Sequence, residues 1–353
     1  MTDSDEAGTQ LDQRRTSAPI VGVDSLRALS EVLTGAEARL AAGESAAPRV
    51  WQTGFQLLDR YLGGGLRAGE LTLLGGPQGL GKTSFVLQVL RNTVSQGGSG
   101  VYFSFEHDEA TVLQRMIALE AAQTAGVDAP PLHIIREAME ATGAHAGSLE
   151  ERLVGVGGAE AVRQIAAYGD RLLIDRASGT TTGLDAIRDV ALEVAKRTAL
   201  TPLVVVDYLQ KVAVTEQGGT ELDRVTTIVE GLKDLALEHD LPVLAVVAAD
   251  KEGLVAGKRL RMHHLRGSSA LAYEPDVVLI MNEKYDVVAR HHLVYDIGNA
   301  ERFHNWAILS IEKNRSGRDR VDLEFMKRFE HGLFDPSGRQ VTEQLVDERV
   351  FVE

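Results

Sequence analysis

The stretch GPQGLGKTSF, Gly76 to Phe85, lies between a short apolar run, ELTLLGG, and a segment with helical spacing. Its first eight residues fit the pattern glycine, four free positions, glycine, lysine, then serine or threonine. A strand before it (Glu70 to Leu74) and a helix after it (Ser84 to Thr93) are the context expected of a phosphate-holding loop. Glycines let the main chain curl until successive N–H groups point at one anion. The helix start adds free N–H groups and the positive end of its dipole. Gly76, Pro77, Gln78, Gly79, Leu80, Gly81, Lys82, Thr83 and Ser84 are therefore expected to hold a nucleoside triphosphate, with ATP the general expectation. Lys82 would reach the β and γ phosphates, and the Thr83 hydroxyl would bind Mg²⁺.

Two carboxylates extend this site. Asp207 closes the apolar run LVVVD, where it can hold the Mg²⁺ shell. Hydrolysis also needs a base to deprotonate water. Glu106, at the end of VYFSFE, is the candidate, because strands of a parallel sheet end together at the ligand crevice.

The surrounding chain predicts that sheet. RLLID, PVLAVVAA, DVVLIMNE and AILSIEKN join the runs above, and nearly every position in them is apolar. Such runs fit strands covered by helices on both faces. RVDLEFMKR alternates and suggests an antiparallel hairpin at the sheet edge. Before Trp51, Leu26, Leu29, Leu33, Ala36 and Leu40 mark one face of a helix, with Asp24 as its cap and Gly43 as its stop. The expected organisation is a flexible tail over 1–22, a helix and linker over 23–49, and one α/β domain over 50–353.

With 353 residues, 44% hydrophobic and 25% charged, the composition is that of a globular protein with a sizeable core. Cysteine is absent, which excludes disulfides and thiolate metal sites and favours a reducing compartment. No apolar run is long enough to span a bilayer, so a cytoplasmic location and no membrane partner are expected. The net charge of −14 argues against wholesale coating of nucleic acid but leaves room for a local basic strip.

From about Thr53 to Asp335 the sequence resembles the C-terminal motor domain of DnaB-type replicative helicases, within the RecA-like ATPases. TGFQLLDRYLGGGLRAGELTLLGG, FSFEH and VVVDYLQ carry the likeness, although the first segment alone also suits KaiC-like or RadA-like relatives. The resemblance implies a RecA-like, mostly parallel sheet and a motor that hydrolyses ATP, binds single-stranded DNA and translocates or unwinds duplex. It implies that IEKNRSG delivers Lys313 and Arg315 to a neighbouring subunit's γ phosphate, where they act in catalysis with Lys82 and Glu106. It further implies a ring, hexameric in the family, closed by the N-terminal helix. That helix and the tail also offer a surface for protein partners. GKRLRMHHLRGSSA would supply a channel loop in which Lys258, Arg259, Arg261, Arg266, Gly267 and Ser269 meet the DNA backbone.

Three departures qualify the resemblance. Ala248 stands where the family has a glutamine, LRGSS lacks the acidic residue and following glycine of the channel loop, and only a tail and one helix precede the motor in place of a primase-interacting domain. An alternative expectation is therefore a helicase-derived ATPase that switches a protein assembly without productive unwinding.

Overall fold

The computed structural model describes residues 26–142, 147–214, 219–255, 257–294 and 297–348. They belong to two units divided after Pro48. In the first, helix α1 (Leu29–Ala41) begins where the Ala28 N–H donates to the Glu31 carboxylate at 3.1 Å, and Gly43 follows its end. Leu29, Leu33 and Leu40 on its apolar stripe are exposed. The expected tail and the Asp24 cap lie outside the described residues.

The second unit opens with β1 (Val50–Trp51), α2 (Gln56–Tyr61) and β2 (Leu66–Arg67), followed by β3 (Leu71–Gly76), α3 (Lys82–Ser95) and β4 (Ser99–Ser104). Four helices come next: α4 (Glu109–Ala125), α5 (Leu132–Glu140), α6 (Leu149–Val154) and α7 (Ala159–Tyr168). The alternation resumes with β5 (Leu172–Arg176), α8 (Leu184–Thr198), β6 (Pro202–Asp207), α9 (Glu221–His239), β7 (Val243–Ala248), α10 (Ala270–Tyr273) and β8 (Val277–Glu283). Short helices α11 (Lys284–Val287), α12 (His291–Val294) and α13 (Ile297–His304) lead to β9 (Trp306–Asn314), β10 (Val321–Arg328), β11 (Leu333–Phe334) and β12 (Arg339–Gln340).

Among the described residues one ten-stranded sheet runs β11-β10-β9-β8-β3-β7-β6-β4-β5, with β12 beside β10. The six strands from β8 to β5 are parallel, and β9 turns back antiparallel along β8 to start the hairpin with β10. All residues of β3, β4 and β6 are buried, as two covered faces require. Successive side chains of β3 feed opposite layers, Leu74 joining one core and Leu71 and Leu73 the other. β3 reaches Gly76 rather than Leu74 because Gly75 and Gly76 still pair with Val247 and Ala248 of β7.

Phe85 anchors the start of α3. Its ring stacks on Phe55 at 4.7 Å and meets Phe334 edge-on at 6.1 Å. Burial of such a ring is worth about 1.5–3 kcal/mol. The helices α4 to α7 pack a separate cluster around Ile117, Ile135 and Leu153, an insertion that the strand pattern does not reveal. A C-terminal strap follows β12. It crosses from Val346, whose N–H donates to Val287 at 2.8 Å, to Asp347, whose carbonyl accepts Arg259 N–H at 2.8 Å. Among the described residues no helix is long and apolar enough to cross a membrane.

Candidate active site

The loop between β3 and α3 sits at the carboxyl-terminal edge of the parallel strands, where the open ends of a doubly wound sheet gather ligands. Gly81 occupies the cap position of α3 with φ +82°, and a Cβ there would lie 2.7 Å from the Phe329 ring. Only glycine satisfies both demands. The Leu80 side chain turns down into the core, so its main chain alone faces the loop interior. Lys82 Nζ donates to the carbonyls of Gly76 at 2.8 Å and Pro77 at 2.9 Å. Burial pushes the Lys82 ammonium below the usual lysine range, while the carboxylates of Asp207 and Glu106 pull it back.

Asp207 is 3% exposed at the end of β6. Its Oδ2 accepts from the Thr83 hydroxyl at 2.7 Å and from the Tyr102 hydroxyl at 2.8 Å. Burial, followed by the neighbouring carboxylate, pushes the Tyr102 phenol well above its usual range, which keeps it a donor. A hydroxyl beside a carboxylate fits a Mg²⁺ that draws its remaining ligands from phosphate and water. Among the described residues no group of three or more His, Cys, Asp or Glu could hold a metal by itself.

Lys82, Thr83 and Asp207 line a cleft of about 530 Å³ together with Gln78, Gly79, Ser84, Glu106, Arg115 and Phe329. That volume suits a small-molecule ligand (~300–1,000 Å³). Glu106 is exposed in a turn folded by Ser104, whose hydroxyl donates to the His107 carbonyl at 2.6 Å and accepts the His107 N–H at 3.0 Å. Arg115 leans in from α4, and its Nε has no hydrogen-bond partner among the described residues. Phe329 is 37% exposed beside the loop. Its ring meets that of Phe334 edge-on at 5.4 Å, and the Gln88 amide bonds both main-chain groups of Phe334, at 2.8 and 2.9 Å.

Lys313 and Arg315 lie elsewhere. β9 ends beside the start of β8, with Lys313 opposite Val278 and Asn314 opposite Val277. Both cations therefore stand at the amino-terminal edge of the parallel strands. Lys313 donates to the carbonyls of Ala272 and Tyr273 at 2.9 and 2.8 Å, and Arg315 to that of Tyr273 at 2.5 Å.

The expected basic strip divides. Arg259 is a correction: it is 4% exposed, and its guanidinium is paired with Asp322 and with Ser310, so it is unavailable to a phosphate. Arg261 is likewise engaged, bonding Glu312 at 2.8 Å and Asp347 of the strap. Lys258 is half-buried beside Glu348. Gly267 has φ +124°, and a Cβ there would lie 2.7 Å from Val225 of α9, while Ser269 is exposed at the start of α10. Arg266 alone among the four cations stands free of the interior at 55% side-chain exposure, in an ion pair with Glu221 at 2.7 Å. It borders a second groove with Thr180, Tyr208, Lys211 and Arg224.

The model of the DnaB-like helicase C terminal domain matches residues 51–332. The chain belongs to that family. The DnaB-like chain is 26% identical over 290 residues to the replicative DNA helicase DnaB of Rickettsia bellii, covering 75% of this chain and 53% of that protein. It is 25% identical over 312 residues to the DNA repair protein RadA of Bacillus subtilis, covering 88% of this chain and 48% of that protein. It thus spans about half the length of the curated relatives it matches. A solved DnaB-like replicative helicase superposes with a TM-score of 0.68 at 19% identity, over 87% of this chain and 67% of that one. A solved ATPase domain superposes equally well and is covered over 98% of its length, which establishes the RecA-like fold.

Within this DnaB-like domain, sequence reasoning missed Tyr102, Arg115 and Phe329. Only Tyr102 left a trace, as a polar ring in an otherwise apolar strand whose hydroxyl needs a buried partner.

Proposed function

We propose that the chain is an ATP-hydrolysing motor that acts on single-stranded DNA and works as a ring, hexameric by likeness to its family. The loop N–H groups and Lys82 hold the triphosphate, and Phe329 stacks on the base. Glu106 takes the proton of the attacking water. Mg²⁺, held by Thr83 and Asp207, would neutralise phosphate charge.

The observation that carries the ring is the placement of Lys313 and Arg315 at the edge opposite their own phosphate loop. The six residues of β3 separate those edges by roughly 20 Å at about 3.3 Å per residue, beyond a side chain's reach. The cations are thus suited to a neighbour's site, where a guanidinium supplied in trans is worth ~10³–10⁵ in rate. Arg266, Lys211 and Arg224 supply phosphate contacts in the second groove, which confer affinity without reading sequence.

Mixing tests the shared site. Lys82→Ala and Arg315→Ala proteins should each be inactive alone and regain ATP hydrolysis together. An Arg315→Ala protein with full activity would contradict the proposal. A second reading, an ATPase that switches a protein assembly, draws support from the internal pairing of Arg259 and Arg261, which shortens the basic strip.

A further inference from the structure

Past Asp207 the chain makes a short turn, Leu209–Lys211, and the Gln210 side chain crosses from it to the end of β7. Its Oε1 accepts the Ala248 N–H at 3.1 Å. Its Nε2 donates to the Arg266 carbonyl at 3.0 Å, with a longer contact to the Ala248 carbonyl at 3.4 Å. The Arg266 N–H closes the set by donating to the Ala248 carbonyl at 2.9 Å. A primary amide carries one carbonyl and one NH₂ group, and here both are spent on main chain. Gln210 is not among the described residues that line the nucleotide cleft, whereas Asp207, Tyr208, Ala248 and Arg266 on either side of it are.

The stretch that Gln210 fastens runs from the Arg266 loop through α10 to Tyr273. At its far end the carbonyls of Ala272 and Tyr273 accept Lys313 and Arg315. One continuous piece of chain therefore has the aspartate strand's amide at its start and the two neighbour-directed cations at its finish. Coupling between two sites requires an element that both can bias. The Gln210 turn joins the two places: Asp207 lies three residues before its side chain's origin, and its amide bonds the Arg266 carbonyl.

We propose that Gln210 is a positioning residue that transmits the state of the nucleotide cleft to Arg266, so that affinity for single-stranded DNA depends on the nucleotide bound. This rests on the motor reading above. Gln210→Met removes both polar arms at nearly constant volume. Gln210→Glu keeps the acceptor for Ala248 N–H and loses the donor to Arg266.

The experiment measures affinity for a fluorescent oligothymidylate by anisotropy, with Mg²⁺ and either ADP or a non-hydrolysable ATP analogue, alongside ATP hydrolysis without DNA. The wild-type affinities should differ between nucleotides by a factor within the ~5–150-fold typical of coupled sites. In both variants that ratio should fall to near unity while DNA-free hydrolysis persists. A folded variant that keeps the wild-type ratio overturns the proposal, including one whose two affinities fall in parallel, as a merely structural role predicts. Wild-type protein that binds DNA equally in both nucleotide states also overturns it, whereas protein that binds no DNA removes the motor reading itself.

Discussion

Replacing Tyr102 by Phe deletes one oxygen and leaves the ring in place. That oxygen donates to Asp207 Oδ2 at 2.8 Å, the same atom that accepts from Thr83 at 2.7 Å. The carboxylate then loses one of the two side-chain donors on that oxygen and is freer to rotate. A hydrogen bond to a charged group is worth about 1.5–3 kcal/mol, and loss of a partner behind a metal ligand typically weakens metal binding or activity by ~10–100-fold. The two ranges agree at roughly tenfold or more, which is the expected rise in the Mg²⁺ concentration for half-maximal ATP hydrolysis. The assay is a Mg²⁺ titration of turnover, paired with nucleotide binding in EDTA. Metal-free nucleotide affinity should not change, because Tyr102 is buried and is not among the described residues that line the cleft. An unchanged Mg²⁺ midpoint, or equal losses with and without metal, would refute the reasoning.

The same geometry sets three further expectations. Glu106→Gln should retain nucleotide affinity and lose turnover, measured by binding and single-turnover hydrolysis; normal turnover would remove Glu106 as base. Glu221→Gln should tighten binding to single-stranded DNA by releasing Arg266, a gain of ~0.2–1 kcal/mol for an exposed pair, read by salt-dependent anisotropy. Phe329→Ala should weaken ATP binding while leaving inorganic triphosphate binding unchanged, since the ring is suited to the base and the loop to the phosphates; calorimetry distinguishes the two ligands.

The phosphate loop and the sheet were legible because their signals are local. Every position of β3 and β6 is buried, so apart from Thr72 and the terminal Asp207 each reads as an apolar run. Asp207 stands out by ending such a run. Arg259 shows where local reading fails. It lies in the same cationic cluster as Arg266, but its partners Ser310 and Asp322 are 51 and 63 residues further along. The hydroxyl of Tyr102 meets an aspartate 105 residues away. Such pairings are set by sheet order and by the strap, which no short window contains. The departure at Ala248 also looks different in three dimensions. That position offers no side-chain amide, yet its main chain carries the amide of Gln210, 38 residues earlier.

The most direct test of the account is the rate of ATP hydrolysis by purified protein in Mg²⁺, with and without single-stranded DNA, beside Lys82→Ala. Hydrolysis that rises with DNA and vanishes in the variant is the predicted result. Hydrolysis that is absent under both conditions, or undiminished in Lys82→Ala, would contradict it.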